Sequence, residues 1–422
     1  MTTTTPADLS ALQRPVGSRR RMPSEALMAF LDLTGARPSE AQLETFRSYT
    51  KMGDPLAEDL VTAMRMLPNG LGRKQFDDAL NDGIETVTDA LPELVAFFKE
   101  VERVPYWVDF AKIERAQRAV RNTPVRMTFF STLAITLPAS FLNERGGNQL
   151  LSRAGGVDSA SAGRLIESAS WMYSCAQPGG LDRFGDGFKA TVRVRLVHAY
   201  ARLGARAMGG WDDDEWDFPA GQAQTAAGWV PILAGLLSLA MFGAIDIAAQ
   251  ARAVLHMIRY QSHLMGVRPE LQMDSLSELA RLTYLIMLTD AGTDEHTHHL
   301  THATLDAVPQ AYGLPTEGVL AQPIRWAARR FHAEITGFVY GRLRRSFDLP
   351  APSPLLVAVP VITAYNLVAT AIRRISPAAR ARFNHRQQQI LAQAKARTRT
   401  NLSTARKAAA KTEQQELVVQ AS

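Results

Sequence analysis

The sequence predicts an all-α protein, and three observations support this prediction. Alternating, β-branched runs of the kind that form strands are nearly absent from the chain. Amphipathic segments of helical length follow one another instead, separated by turns such as Gly53-Asp54-Pro55. Two uncharged apolar stretches, residues 226–245 and 353–372, are long enough for helices that are buried on every face.

The N-terminal segment, residues 1–22, is polar and basic, and we expect it to be disordered because it has no apolar run. Residues 18–21 read Ser-Arg-Arg-Arg, as in twin-arginine export signals, but the apolar stretch that such a signal requires does not follow. Pro23 and Ser24 mark the start of an amphipathic helix instead. We therefore expect a cytoplasmic protein.

One helical domain is predicted for residues 23–376, and residues 377–422 are predicted to form a basic tail that is helical or disordered. Residues 373–422 carry a charge of +9 against a total of +6, so the remaining residues sum to −3. This mildly acidic body excludes a uniformly basic surface specific for nucleic acid. The single cysteine, Cys175, excludes an internal disulfide, and we expect it to be a small buried residue.

The two apolar stretches also raise the alternative of membrane-spanning helices. Residues 226–245 meet the length criterion, but Pro231 interrupts them and Asp246 follows directly. Two prolines and an asparagine interrupt residues 353–372. With a mean hydropathy of −0.10 for the whole chain, these features favour buried helices, and no spanning segment is expected.

The segment 188–208 carries the first candidate site. On a period of 3.6 residues, Arg195, His198 and Arg202 share one helix face, with small apolar residues beside them. An imidazole among apolar groups, with a guanidinium about one turn away on either side, suits haem. The histidine would ligate the iron, and the arginines would pair with the propionates. The same spacing is also compatible with a surface histidine or a hydrogen-bonded core histidine.

Two segments resemble the latex-clearing protein (rubber oxygenase) family and its wider haem-dependent oxygenase superfamily, which includes the mycophenolic-acid-pathway type. These segments are 163–168, GRLIES, and 193–202, RVRLVHAYAR. In that family the histidine of an Arg-x-x-His-x-x-x-Arg helix is the axial ligand of a b-type haem. The resemblance therefore implies that His198 binds the iron and that Arg195 and Arg202 flank the haem b cofactor.

The resemblance also implies a distal face of the haem formed by an Arg-x-x-Lys-Thr segment. Arg164 matches its arginine, whereas Glu167 stands in place of the lysine and Ser168 in place of the threonine. We expect Arg164 to donate a hydrogen bond to bound oxygen. Three roles stay open for Glu167, namely a base for a proton next to a double bond, an ion pair with Arg164, or a residue that leaves the iron open.

The fold that the resemblance implies is a globin-like helical core with additional helices. The implied function is a haem-dependent oxygenase that uses O2 on an apolar, unsaturated, isoprenoid-like substrate, with oxidative cleavage of a double bond as one outcome. Known rubber oxygenases carry export signals, and this sequence departs from them there. The sequence predicts neither the exact substrate nor the oligomeric state.

A second candidate site is the histidine-rich segment 294–302, DEHTHHLTH. On a helix Glu295, His298, His299 and His302 form overlapping i, i+3 and i+4 pairs, but a dinuclear site would need a second Glu-x-x-His, and none occurs. Two interpretations stay open: a solvent-facing helix start capped by Asp294, and a mononuclear site of a non-haem metal-dependent enzyme. A non-catalytic haem-binding protein is a third class of function.

Overall fold

The computed structural model describes residues 32, 35–142, 145–153, 170–244, 250–289, 293–393 and 396. All regular elements within these ranges are helices, which confirms the all-α prediction. The predicted disordered segment 1–22 and the end of the predicted tail lie outside the described residues.

The α-helices are α1 (Glu40–Thr50), α2 (Pro55–Met66), α3 (Leu71–Asp82), α4 (Pro92–Val101), α5 (Phe110–Arg121), α6 (Val125–Ser131), α7 (Leu137–Phe141), α8 (Arg145–Arg153), α9 (Asp186–Ala207), α10 (Asp213–Trp216), α11 (Gln222–Ala227), α12 (Trp229–Met241), α13 (Ala251–Leu264), α14 (Leu276–Thr289), α15 (Glu295–Ala311), α16 (Ala321–Tyr340) and α17 (Ala358–Ile375). A π-helical turn, Thr132–Thr136, joins α6 to α7. Short 3-10 helices cover Pro68–Gly70, Ile84–Thr86, Pro269–Leu271, Gly341–Phe347 and Pro354–Val357. Residues 170–175 and 377–393 are also helical.

The largest hydrophobic core joins the N-terminal helices to α9 and α13. Three phenylalanine rings at its centre, Phe76, Phe97 and Phe98, lie 5.6 to 6.2 Å apart between centroids. Phe188 and Val192 of α9 belong to the same core. Helices that precede residue 127 therefore pack directly against the helix that carries His198.

The sequence predicts one helix over residues 111–142, and this prediction is wrong. The chain forms α5, then a break at Asn122 to Pro124, and then α6. Pro124 explains the break because a proline disfavours helical geometry in the residue before it and has no N–H to donate.

The π turn after α6 lies where three helices meet. Thr336 and Tyr340 of α16 donate side-chain hydrogen bonds to the carbonyls of Ala134 and Pro138, at 3.0 and 3.1 Å. On the other side, a Cβ at Gly235 of α12 would lie 2.1 Å from Thr136 Oγ1. The close approach of α12 therefore requires glycine at that position.

The two apolar stretches differ in their burial. Both Gln222–Met241 and Pro354–Ile375 are long and apolar enough to cross a membrane. In the first, 44% of the most apolar window is buried, so the predicted burial is only partial, and in the second only 6% is buried. The prediction that residues 353–372 form a buried helix is therefore wrong. The body covers only one narrow side of α17, on which Asn366 is the single buried residue of that helix.

The segment after α17 is partly attached to the body. Gln387 is buried, and its Oε1 accepts a hydrogen bond of 2.7 Å from the backbone N–H of Val125. Leu391 is also buried. The start of the predicted tail is thus a helix that packs against α6, with Arg382 and Arg386 exposed on it.

Candidate functional site

The start of α9 is fixed by a tight Gly-rich turn. The N–H of Phe188 donates to the Gly180 carbonyl at 2.7 Å, and a Cβ at Gly187 would lie 2.4 Å from the Cα of Cys175. This contact buries Cys175, as expected, and burial raises the pKa of its thiol to about 11. A thiol that stays protonated at neutral pH is a poor nucleophile.

Arg195 lies on the buried side of α9, with 3% of its side chain exposed. Its Nε and Nη2 donate to the two carboxylate oxygens of Asp54 at 2.7 and 3.1 Å, and Nη1 donates to Glu100 at 2.9 Å. Burial opposes the charge, but the ion pairs with Asp54 and Glu100 outweigh it and raise the pKa of Arg195. Every nitrogen of this guanidinium is therefore bonded to a carboxylate of the chain.

Arg202 lies two turns further along the same face and is equally buried. Its Nη1 donates to the carbonyl of Ala220 at 2.8 Å, and its Nε lies 2.6 Å from Glu58 Oε1. The Nη2 atom lies 4.0 Å from Asp54 Oδ2 and has no hydrogen-bond partner among the described residues. Burial lowers the pKa of Arg202, and Asp54 and Glu58 oppose this effect. The Nη2 atom of Arg202 is thus buried near Asp54 without a hydrogen bond among the described residues.

His198 lies between these arginines and is half-buried as a whole. Its Nδ1 is buried and has no hydrogen-bond partner in the described part of the chain. Burial and, to a smaller extent, the charge of Arg202 lower the pKa of His198 from 6.5 to about 4, although Asp54 opposes them. The imidazole is therefore neutral at pH 7, which is the form that binds a metal ion.

The protein is also similar to a known family and to a solved structure. A family model described as "ER-bound oxygenase mpaB/B'/Rubber oxygenase, catalytic domain" matches residues 127–374, more than half of the chain. The chain belongs to this family. Its structure is similar to a solved structure of latex clearing protein in the closed state, with a TM-score of 0.54 and 17% sequence identity. The likeness covers 81% of this chain and 90% of that one, and it shows a shared helical fold. No curated protein sequence matches the chain.

The family match confirms the resemblance to rubber oxygenases, and it shows that the chain belongs to an oxygenase family. The matched range contains α9 with His198, but Asp54, Glu58 and Glu100 precede it. These three carboxylates are not among the site residues that the sequence predicts. A local signal was present, because an aspartate before Pro55 is typical of a helix N-cap and Glu58 follows one turn later.

The structure describes some of the predicted site residues, those on α9, and not the others. The structure brings Arg195, His198 and Arg202 to one face, as their spacing predicts. Their contact with haem propionates stays a prediction, and the donors of Arg195 are already bonded to Asp54 and Glu100. The predicted residues of the distal face, namely Arg164, Glu167 and Ser168, lie outside the described residues.

The histidine-rich segment forms the start of α15. Asp294 caps it, as expected, by accepting a hydrogen bond of 2.9 Å from the Thr297 N–H. His302 Nε2 lies 2.8 Å from the carbonyl of Phe347, and the rings of His298 and His302 are 4.5 Å apart. In the ranges that the structure covers, no three His, Cys, Asp or Glu side chains are grouped to hold a metal ion. The geometry therefore favours the capped helix start over a mononuclear metal site.

Proposed function

We propose that this protein is a haem b-dependent oxygenase that uses O2 on an apolar, unsaturated, isoprenoid-like substrate. Membership of the oxygenase family supports the reaction class. The observation that carries the haem assignment is His198, a neutral imidazole whose buried Nδ1 has no partner among the described residues.

The residues present fit this cofactor. A porphyrin supplies four nitrogen ligands, so haem needs only one histidine and no cluster of protein ligands. His198 offers that ligand, and the unpaired Nη2 of Arg202 suits an acidic group at the edge of the cofactor. When bound, haem would supply the activation of O2, which no side chain of the chain provides.

The remaining roles belong to the protein. Asp54 and Glu100 hold Arg195, and thereby fix the position of α9 and the orientation of His198. Burial and the charge of Arg202 keep the imidazole neutral and ready to ligate. For the opposite side we propose Arg164 as a hydrogen-bond donor to oxygen and Glu167 as the acceptor of a proton next to the double bond, with Ser168 beside them.

The absorption spectrum of protein purified from haem-supplied cells tests the assignment. We expect a Soret band in the wild type and its loss or shift in His198→Ala. The matched control is His299→Ala, an exposed histidine of α15, which should keep the wild-type spectrum. A colourless wild-type protein under full haem supply would contradict the proposal.

Oxygen uptake separates the oxygenase from the other two classes. We expect uptake that depends on a soluble isoprenoid polyene and is lost in His198→Ala but kept in His299→Ala. A Soret band without any substrate-dependent uptake would indicate a non-catalytic haem-binding protein. Bound iron or zinc without haem, with activity lost in His299→Ala, would support the metal-dependent alternative.

A further inference from the structure

The outward side of α17 and the 3-10 turn before it is an unusually apolar exposed surface. Its side chains recur at helical spacing opposite Asn366, and more than half of the surface of each is exposed: Val357, Val361, Val368, Ile372 and Ile375. We call these five residues the outer face of α17. Soluble proteins rarely leave a contiguous apolar surface of this kind without a binding partner.

The opposite side of α17 is attached to the body along its length. Val359 and Ile362 pack into the cluster around Phe130 and Phe242. Asn366 Nδ2 donates to the carbonyl of Phe242 at 3.0 Å, and Thr370 Oγ1 donates to that of Gly243. To cross a bilayer, α17 would have to give up these contacts. A position along the membrane interface keeps them and still covers the outer face.

The charged residues in the sequence from α17 to residue 412 are all basic. No Asp or Glu occurs between Asp348 and Glu413, whereas this interval contains eleven Lys or Arg residues from Arg373 onward. Arg373 and Arg374 end α17, and the exposed Arg382 follows in helix 377–393. Basic side chains beside an apolar helix face are typical of binding to anionic lipid.

The same charges distinguish between possible partners. A second copy of this chain would cover the outer face but would bring two sets of arginines together, which repel each other. Nucleic acid would neutralise the arginines but leave the outer face in water. An anionic lipid surface satisfies both features.

An apolar cavity lies beneath α17. Its volume is about 270 Å³, and Ile362 of α17 forms part of its wall together with Phe130, Phe242 and Phe331. Its polar lining residues are Arg126, Tyr312 and His332. A cavity of this kind, next to a lipid-binding helix, would receive apolar molecules from the membrane without passage through water.

We propose that the outer face of α17 and the arginines that follow it bind the surface of an anionic membrane, with α17 in the plane of the interface. This binding does not depend on haem or on oxygenase activity. The predicted cytoplasmic location becomes, in this proposal, the cytoplasmic surface of a membrane.

Flotation of the full-length protein with lipid vesicles tests the proposal. We expect binding to phosphatidylcholine vesicles that contain 30% phosphatidylserine, and at least tenfold weaker binding to phosphatidylcholine alone. The double variant Val361→Asp/Val368→Asp should lose at least tenfold in binding while keeping the wild-type circular dichroism, because neither side chain packs inward. The matched control, Val104→Asp, places the same charge at another exposed valine and should bind like the wild type.

A second variant separates the charges from the apolar face. Arg382→Gln/Arg386→Gln should weaken binding several-fold and reduce its dependence on salt. Equal binding to neutral and anionic vesicles, or wild-type binding by Val361→Asp/Val368→Asp, would overturn the proposal. A dimer that forms in the wild type but not in Val361→Asp/Val368→Asp would also overturn the proposal. Resistance to extraction by alkaline carbonate would contradict a position in the interface and indicate insertion across the bilayer.

Discussion

Replacing Asp54 by asparagine should destabilise the protein by removing the charge that holds two buried arginines. The Asp54 side chain is 8% exposed and accepts two hydrogen bonds from Arg195. Asparagine has nearly the same size and caps a helix as well as aspartate does, so the start of α2 should be preserved. The substitution therefore isolates the effect of the charge.

The expected magnitude follows from the partners that remain. Removing one member of a buried ion pair costs about 3–5 kcal/mol. Glu100 still contacts Arg195 at 2.9 Å, and Glu58 still contacts Arg202 at 2.6 Å. The side-chain oxygen of asparagine also keeps one of the two hydrogen bonds. We therefore expect the lower end of the range, a loss of about 3 kcal/mol in the free energy of unfolding.

Urea unfolding followed by circular dichroism measures this loss, and α9 offers a matched control. Asp77 pairs with Arg193 of the same helix at 3.2 Å, but both side chains are more than a third exposed. Asp77→Asn should therefore cost no more than about 1 kcal/mol. If the two variants differ by less than about 1 kcal/mol, the idea that buried ion pairs hold α9 in place is refuted.

Three further predictions concern α16, the helix crossing at the π turn, and α9. Burial lowers the pKa of His332 from 6.5 to about 4, so between these values the unfolded chain binds a proton that the folded chain does not. The stability should therefore fall as the pH drops from 6.5 toward 4, and thermal unfolding measures this as a lower melting temperature. In His332→Gln the melting temperature should depend less on pH over this interval, and an unchanged dependence would contradict the prediction. Gly235→Ala places a methyl group 2.1 Å from Thr136 Oγ1 and should destabilise by about 1–3 kcal/mol. At Gly204 of α9 an added methyl group has no atom within 4 Å, so Gly204→Ala should raise the stability by up to about 1 kcal/mol. Equal unfolding midpoints for Gly235→Ala and Gly204→Ala would contradict both predictions.

The features that the sequence predicts correctly are those that depend on local spacing. Helical periodicity predicts the all-α fold and places His198 on one face with two arginines. The capping aspartate of α15, Asp294, is predicted for the same reason. The break before α6 is not among them: Pro124 disfavours a continuous helix there, but the apolar pattern that follows resembles the continuation of one helix.

The features that the sequence does not predict depend on distant contacts. Asp54 and Glu100 lie 141 and 95 residues before Arg195, and no spacing rule connects residues so far apart. The exposure of α17 is not predicted either. Apolar composition indicates that a segment prefers burial, but it does not indicate which neighbour covers that segment. Both outcomes are decided by tertiary packing.

The carboxylates that hold α9 have a consequence for how this family can be divided or recombined. Residues 127–374 match the family, yet the guanidinium groups of Arg195 and Arg202, which are buried in the described part of this range, are neutralised by residues 54, 58 and 100. A fragment cut at residue 127 would keep the histidine helix and lose its counter-charges. A chimera that transfers only the matched range would need a host N-terminal region with carboxylates at equivalent positions, so the N-terminal helices and α9 are expected to be inherited together.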